Sequence, residues 1–198
     1  MQIGVQLFSD HPYNEIWIDE IARVAGISRG LLYHYFPSKR DFYVEAVRTA
    51  CAQLSAATIA DESLPPLEQL HAGIEGYLDY VEHHAEGYKT VHRAGVGADD
   101  EVRALIERSQ SHQLERILNG ITGAQPAPES LRLAVRGWLG FLVATSLDWL
   151  DHQQIERDQL RELLVSALRG TVDAAFQTDP SLKRFEPRAQ ALFSSSAD

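Results

Sequence analysis

The chain lacks several features that would narrow its function at once. It has one cysteine, Cys51, among 198 residues, which excludes an internal disulfide and fits a reducing compartment. No unbroken apolar run approaches the ~20 residues that span a bilayer, and no signal peptide is recognisable. Positive charge is scarce, because 18 Lys and Arg face 28 Asp and Glu. We therefore expect a cytoplasmic protein with no membrane partner.

Motifs of enzymes and metal sites are also missing from the sequence. There is no Gly-rich phosphate loop, no nucleophile elbow and no His-Glu-x-x-His. The carboxylate run at 99–101 fits the start of a helix, where acidic residues complement the dipole. The histidines have no cysteine partners at metal-ligand spacing. We expect no catalytic residue, no metal and no cofactor, and we do not expect an enzyme.

One short window reverses the acidic balance of the chain. Between residues 22 and 40 there are four Lys or Arg and no Asp or Glu, although the net charge is −10. Gly26 predicts the end of a helix that starts near Ile18, and Ser28 predicts the cap of a second helix that ends before Pro37. Ser38 and Asp41 have the spacing of a capping box that starts a third helix.

The second helix of this window is predicted to have two unlike faces. On a helical wheel Leu31, Leu32, Tyr35 and Phe36 share one arc and should pack behind the helix, whereas the opposite arc carries polar groups. A guanidinium, a phenol and an imidazole around a glycine suit phosphates and base edges of DNA. The alternative is a helical hairpin whose basic face arose by chance. The predicted DNA-binding residues are Ser28, Arg29, Gly30, Tyr33, His34 and Lys39.

The window resembles the TetR family of transcriptional regulators. The matching residues are Ile21-Ala22, Ala25-Gly26-Ile27-Ser28-Arg29-Gly30, Leu32-Tyr33-His34-Tyr35-Phe36-Pro37-Ser38-Lys39 and Phe42. Two departures stand out: Trp17 occupies the position where the family usually has a Ser or Thr cap, and the segment before it is short and holds no Lys or Arg. We expect a cost of ~1 kcal/mol from the missing cap, offset if Trp17 packs.

The rest of the chain shows helical periodicity and no convincing strand alternation, which predicts an all-α fold of about nine helices. The resemblance implies a three-helix helix-turn-helix head and a larger helical body that binds a ligand and dimerises. We place the DNA-binding domain at residues 1–46, the ligand-binding and dimerisation domain at 47–178 and a polar, frayed or surface-lying tail at 179–198.

The body offers aromatic and imidazole groups for a ligand pocket and apolar stripes for a dimer. Ordinary core packing is the alternative interpretation of either pattern. The predicted pocket residues are Tyr77, Tyr80, His84, Tyr88, Trp138 and Phe141. Residues 80, 84 and 88 form a strip only if one helix carries them. The predicted dimer residues are Leu139, Leu142, Leu160, Leu163, Leu164 and Leu168.

These predictions together describe a ligand-responsive repressor. It should bind a palindromic, double-stranded operator as a homodimer and be released by a small, largely apolar effector. The alternative is a helical dimer that acts through ligand or protein contacts and whose head is disabled by the missing basic arm.

Overall fold

The computed structural model of the chain describes residues 2–10, 13–95 and 99–193, and in these ranges it is helical without a strand. The all-α prediction is therefore confirmed. The described ranges contain ten α-helices, one more than the expected nine: α1 (Gln2–Asp10), α2 (Ile18–Val24), α3 (Arg29–Tyr35), α4 (Lys39–Ala57), α5 (Pro66–His83), α6 (Ala85–Thr90), α7 (Asp100–Thr122), α8 (Glu129–His152), α9 (Arg157–Thr178) and α10 (Glu186–Phe193).

Three shorter pieces complete the helical elements. Tyr13–Glu15 and Pro180–Phe185 are 3-10 turns, and Val91–Gly95 is a π-helical turn. The chain divides into two units: unit 1 is Met1–Ala56 with Tyr80–Ser109, and unit 2 is Ala57–Asp79 with Gln110–Asp198. These are units of packing. The functional limits at residues 46 and 178 stay predictions.

Unit 1 has a core rich in aromatic rings. Phe8 lies edge-on against Tyr43 with ring centroids 4.9 Å apart, and Tyr13 lies 4.8 Å from the same ring. Phe42 joins this cluster from α4, where it is 4% exposed. A Cβ on Gly4 would lie 2.6 Å from the Phe42 ring, so any larger residue here would require the ring or α1 to shift.

Unit 2 has a core of aliphatic side chains. Helices α8 and α9 pack on each other, and Leu160, Leu164 and Leu168 of α9 are completely buried. The Trp138 indole of α8 donates a hydrogen bond to the Leu164 carbonyl oxygen at 2.9 Å, which satisfies its one polar group.

The tail differs from its prediction. We expected residues from 179 onward to fray or to lie over the surface, but the 3-10 turn and α10 bury Leu182 and Phe185 at 0% and 2% exposure. Asp179 fixes the start of this segment, because its carboxylate accepts bonds from the Ser181 amide and the Ser130 hydroxyl. Two large apolar side chains in a polar stretch are enough to anchor it. The serines at 194–196 lie outside the described residues.

Helix α8 is long and apolar enough to cross a membrane by length and composition, with 24 residues and a window of mean hydropathy 1.2. The same properties are typical of a core helix in a soluble fold. Leu131, Val135 and Trp138 are among seven α8 residues buried in unit 2. We therefore interpret α8 as a core helix.

Candidate nucleic-acid interface and cavity

The turn between α2 and α3 has the geometry that its sequence predicts. Gly26 adopts a left-handed backbone with φ of +65°. Its amide donates to the Arg23 carbonyl oxygen at 3.2 Å, and the Ile27 amide donates to the Ala22 carbonyl oxygen at 3.0 Å. This pair of bonds is the Schellman motif that ends helices at glycine, and it fixes the angle at which the chain enters α3.

Helix α3 is capped and anchored as expected. The Ser28 hydroxyl oxygen accepts a hydrogen bond from the Leu31 amide at 3.1 Å, and Leu32 is 2% exposed in the core of unit 1. The predicted contact residues on this helix are all exposed to solvent: Ser28, Arg29, Gly30, Tyr33 and His34.

Two apolar residues of α3 do not lie where the helical wheel placed them. Leu31 is 42% exposed and Tyr35 is 67% exposed, so the expectation that they pack behind the helix is wrong. Only the middle of the short α3 faces the other helices, and Leu32 fills that position. The Tyr35 ring lies edge-on to His34 at 5.3 Å, which adds an aromatic group to the outer surface.

Arg29 has an acidic partner that the local sequence did not reveal. Its Nε lies 2.7 Å from Asp19 Oδ1, and its Nη1 donates to Asp19 Oδ2 at 3.2 Å. Both side chains are about 60% exposed, and an exposed pair of this kind is worth only ~0–1 kcal/mol. A phosphate or a base edge can therefore replace Asp19 at small cost. The Tyr33 ring, 6.0 Å from the Arg29 guanidinium, supports it from the side.

Lys39 is the first residue of α4 and therefore does not belong to α3. Its ammonium nitrogen is 4.3 Å from the centre of the Tyr13 ring, a cation–π contact, and burial lowers the pKa of the lysine. The predicted cap of α4 is present in part: the Asp41 amide donates to the Ser38 hydroxyl oxygen at 3.1 Å. The Asp41 carboxylate accepts from that same hydroxyl at 2.7 Å, whereas a full capping box would place it on the Ser38 amide.

Arg40 is held by acids that are distant in sequence. Its Nε and Nη2 donate to Asp99 at 2.7 and 2.8 Å, and Nη2 also reaches Glu101 at 3.4 Å. The hydrogen bond from Arg40 lowers the pKa of Asp99. Asp99 also accepts from the amide of Glu101, so the carboxylate run starts α7 as predicted and in addition binds α4.

The positive field of the basic window is therefore smaller than its composition indicates. Three of its four cations lie beside carboxylates: Arg23 near Glu20, and Arg29 and Arg40 in the pairs described above. Within the ranges that the structure describes, Lys39 is the one cation of the four outside an ion pair. Acids from outside the window supply the compensation, which a count within the window misses.

Unit 2 contains a cavity of about 490 Å³, within the ~300–1,000 Å³ typical of small-molecule pockets. Two of the six predicted pocket residues, Tyr77 and Trp138, line it together. Its wall also takes in the loop after α4, one face of α7, and Leu192 of α10. The many cavity residues that we did not predict for the pocket include Thr58, Ile74, Arg116, Ile117, Leu139, Leu142 and Leu168.

The other four predicted pocket residues lie elsewhere. The strip of rings is broken because α5 ends at His83 and α6 begins after His84. In unit 1 the Tyr80 hydroxyl donates to the Ala50 carbonyl oxygen at 3.1 Å, and the Tyr80 ring stacks on His84 at 4.2 Å. Tyr88 is buried against His92. Phe141 is 39% exposed on α8, so none of these four lines the cavity.

Most of the predicted dimer residues are interior. Leu139, Leu142, Leu160, Leu164 and Leu168 are 0–4% exposed within one chain, so their assignment to a surface between subunits is corrected. The periodicity was that of a core stripe. Leu163 is 44% exposed and remains available. The apolar and small residues that α8 and α9 turn outward, between exposed polar ones, include Leu133, Gly137, Gly140, Phe141, Ala144, Leu163 and Gly170.

Comparison with known proteins gives a second line of evidence beside this geometry. Residues 2–46 match the family model of bacterial regulatory proteins of the tetR family, and residues 66–169 match that of the tetracyclin repressor-like C-terminal domain. A tetR-family regulator from Streptomyces coelicolor shares the fold with a TM-score of 0.90 and 29% identity, over 99% of this chain and 88% of its own.

Two further proteins are similar over most of the chain. The transcriptional activator FasR of Mycolicibacterium smegmatis is 25% identical over 180 residues, which are 86% of this chain and 77% of FasR. The regulator FadR of Bacillus subtilis, solved with stearoyl-CoA, has a TM-score of 0.64 over 86% of this chain and 95% of its own at 21% identity, a likeness of fold alone.

The capped, outward-facing α3 behind a glycine turn thus lies within the matched N-terminal family domain, and a second matched family domain covers residues 66–169. The proteins of this kind are transcriptional regulators and not enzymes. The chain belongs to the TetR family of DNA-binding transcriptional regulators.

Proposed function

We propose that the chain is a cytoplasmic, ligand-responsive repressor that binds a roughly palindromic operator as a homodimer and is released by a small molecule. The observation that carries the proposal is α3, whose polar side faces solvent while Leu32 anchors the opposite side. In this role Arg29, Gly30 and His34 face the major groove, where Arg29 can donate two hydrogen bonds to a guanine. Ser28, Tyr33 and Lys39 hold phosphates.

One α3 can read only half of a palindromic operator, and a homodimer provides a second copy of this helix. Seven residues form a single α-helix here, and two such helices one DNA turn apart, ~34 Å, would read both halves of a palindrome. The outward side of α8 and α9 supports the pairing. Gly137 and Gly140 have nothing within 4 Å of a Cβ position, so a second copy of these helices can approach closely.

The dimer is tested by one charged substitution and its matched control. Phe141→Arg should shift the chain toward the monomer mass in light scattering, because the guanidinium would be buried without a partner. Ile155→Arg is the control, since Ile155 is as exposed as Phe141, at 40% and 39%, but lies in the loop after α8. Equal masses for the two variants would contradict this interface.

An effector in the cavity would lower DNA affinity by binding one state of the regulator better than the other. A 100-fold loss of affinity requires ~2.7 kcal/mol of such preference. The cavity in unit 2 supports the effector, and the FadR neighbour was solved with a small-molecule thioester.

Titration of labelled DNA from upstream of the protein's own gene, at moderate salt, tests the proposal. We expect saturable binding that a scrambled sequence does not reproduce, and a loss in Arg29→Ala that the exposed Arg103→Ala of α7 does not show. Deletion of the gene should raise expression from that promoter. Equal affinity for both DNAs at micromolar protein would instead favour a helical dimer that acts without DNA, and lowered expression would make the protein an activator.

A further inference from the structure

The cavity of unit 2 has one polar wall and one apolar wall. Gln113, Arg116, Ile117 and Gly120 line it from α7 at helical spacing, beside Thr58 and Gln69. The wall from α8 and α9 is apolar and is formed by Trp138, Leu139, Leu142 and Leu168. The Trp138 indole is already bonded to Leu164, so this wall offers packing surface. An occupant that satisfies both walls has an apolar body and one polar end.

Arg116 determines which charge the polar end of the occupant should carry. Among the described residues that line the cavity it is the one cation, and Glu62, which is exposed, is the one acid. Arg116 is half-buried, and burial lowers its pKa. A guanidinium that has lost part of its hydration interacts strongly with an anion placed beside it. The planar fork of arginine fits both oxygens of a carboxylate.

The same guanidinium holds the segment that follows α4. Arg116 Nη2 donates to the Thr58 carbonyl oxygen at 2.7 Å, and Nη1 donates to the Thr58 hydroxyl at 2.9 Å. The preceding residue, Ala57, is the last of α4. Its carbonyl oxygen lies where a Cβ on Gly76 would be only 2.0 Å away. The end of α4 is thus fixed by a glycine of α5 on one side and by Arg116 on the other.

We infer that the cavity binds an apolar carboxylate, whose carboxylate group pairs with Arg116 and competes with Thr58 for its donors. The inference rests on the proposed function only for its regulatory consequence. Three residues separate the end of α3 from the start of α4, which runs without a break to Ala57. A ligand that draws Arg116 away from Thr58 therefore loosens the far end of the helix that follows the DNA-reading helix.

Isothermal titration of the full chain with three probes of equal chain length tests the ligand class without DNA. The probes are decanoate, decanol and decylamine. We expect decanoate to bind at least ~10-fold more tightly than decanol, as one charge-assisted hydrogen-bonded pair allows, and decylamine to bind no better than decanol. Arg116→Gln should reduce decanoate to the affinity of decanol, and Arg116→Lys should retain part of the preference.

Controls separate a lost contact from a lost fold. An unchanged decanol affinity in Arg116→Gln shows that the cavity is intact, and Arg103→Gln, on the same helix but outside the cavity lining, should keep the full preference. Thr58→Val removes the competing hydroxyl at constant shape, so decanoate should bind severalfold more tightly to it. A fall in decanoate affinity in that variant would overturn the competition.

Three outcomes would overturn the ligand class: no binding of decanoate, a preference for decanol or decylamine, or a carboxylate preference that survives in Arg116→Gln. Failure of the regulatory proposal looks different. If decanoate binds through Arg116 but leaves the affinity for operator DNA unchanged, the ligand class stands and release by that ligand is rejected.

Discussion

The two units of this chain achieve stability in different ways. Unit 1 packs aromatic rings at fixed angles around Phe8, Tyr13 and Tyr43 and compensates its surface cations with acids. Unit 2 packs leucines of α8 and α9 and contains a cavity. Under the proposed function, the unit that carries α3 has to present one geometry to a regular duplex, and rings with preferred contact angles favour a single arrangement. Under the same proposal, the unit with the cavity needs volume and a surface that accepts an apolar body.

The largest effect that separates the two units should come from the tail. Leu182→Ala should lower the free energy of unfolding by about 2–5 kcal/mol, because it removes a completely buried side chain from unit 2 and leaves a cavity. Urea unfolding followed by circular dichroism measures the loss. Lys183→Ala, at the adjacent exposed position, is the control. A Leu182→Ala variant as stable as the control would show that the tail does not belong to the core.

Acid should destabilise unit 1 through His92. Burial lowers the pKa of His92 to about 4, against about 6.5 in an unfolded chain. The unfolded state therefore binds more protons between these values. Stability is fully present above about pH 6.5 and falls as the pH drops toward about 4, by roughly 2–3 kcal/mol.

Chemical denaturation at several pH values measures this loss. His92→Gln should flatten the change between pH 6.5 and 4, and His112→Gln, an exposed substitution on α7, serves as the matched control. If the two variants follow the same pH profile, the dependence has another source.

Loss of DNA contacts from α3 should be of intermediate size. Arg29→Ala should cost roughly 1–3 kcal/mol of operator binding and relax the preference at one base pair, whereas Lys39→Ala should weaken all sequences alike and reduce the salt slope by about 1. Fluorescence anisotropy over a salt series distinguishes the two. Intact operator binding by Arg29→Ala would mean that α3 is not the reading helix.

Asp19→Asn tests how the ion pair with Asp19 affects DNA binding by Arg29. The substitution removes the carboxylate that holds the guanidinium at 2.7 Å and one negative charge near the proposed DNA surface. We expect tighter binding to operator and scrambled DNA alike, with smaller discrimination between them. The exposed Asp173→Asn of α9 controls for net charge. Unchanged affinity for both DNAs would contradict a competition between Asp19 and DNA for Arg29.

The smallest effect should come from the missing cap of α2. Trp17 makes no side-chain cap bond and is 72% exposed, so the expected compensation by packing is absent. Trp17→Ser should raise the free energy of unfolding by about 1 kcal/mol by capping α2. Trp17→Ala removes the same ring without adding a cap, so the two variants should differ in thermal stability. Equal melting temperatures would refute the capping argument.

Local signals predicted the helix-turn-helix in detail. Gly26 supplies a backbone conformation that other residues rarely adopt, and Ser28 supplies a hydroxyl within reach of the Leu31 amide. These are interactions between residues two to five apart, so the order of residues along the chain determines them. The same holds for Pro66, which begins α5.

Burial on a short helix was less predictable. The wheel correctly placed Leu32 inside but failed for Leu31 and Tyr35, since seven residues make two turns and only one of their sides meets a neighbour. Periodicity also could not separate a core stripe from an interface stripe. The spacing of Leu160, Leu164 and Leu168 fits either kind of stripe, and the structure buries all three within one chain.

The sequence by itself determined that this protein is helical and where α3 begins and ends, because caps, turns and periodicity act between near neighbours. Tertiary structure alone decided that Asp19 and Asp99 compensate the basic window, that the tail is buried and that Arg116 shares a cavity with Trp138. Asp19 and Arg29 are 10 positions apart in the sequence, and Arg40 and Asp99 are 59 positions apart. Only the packing of whole helices brings such residues together.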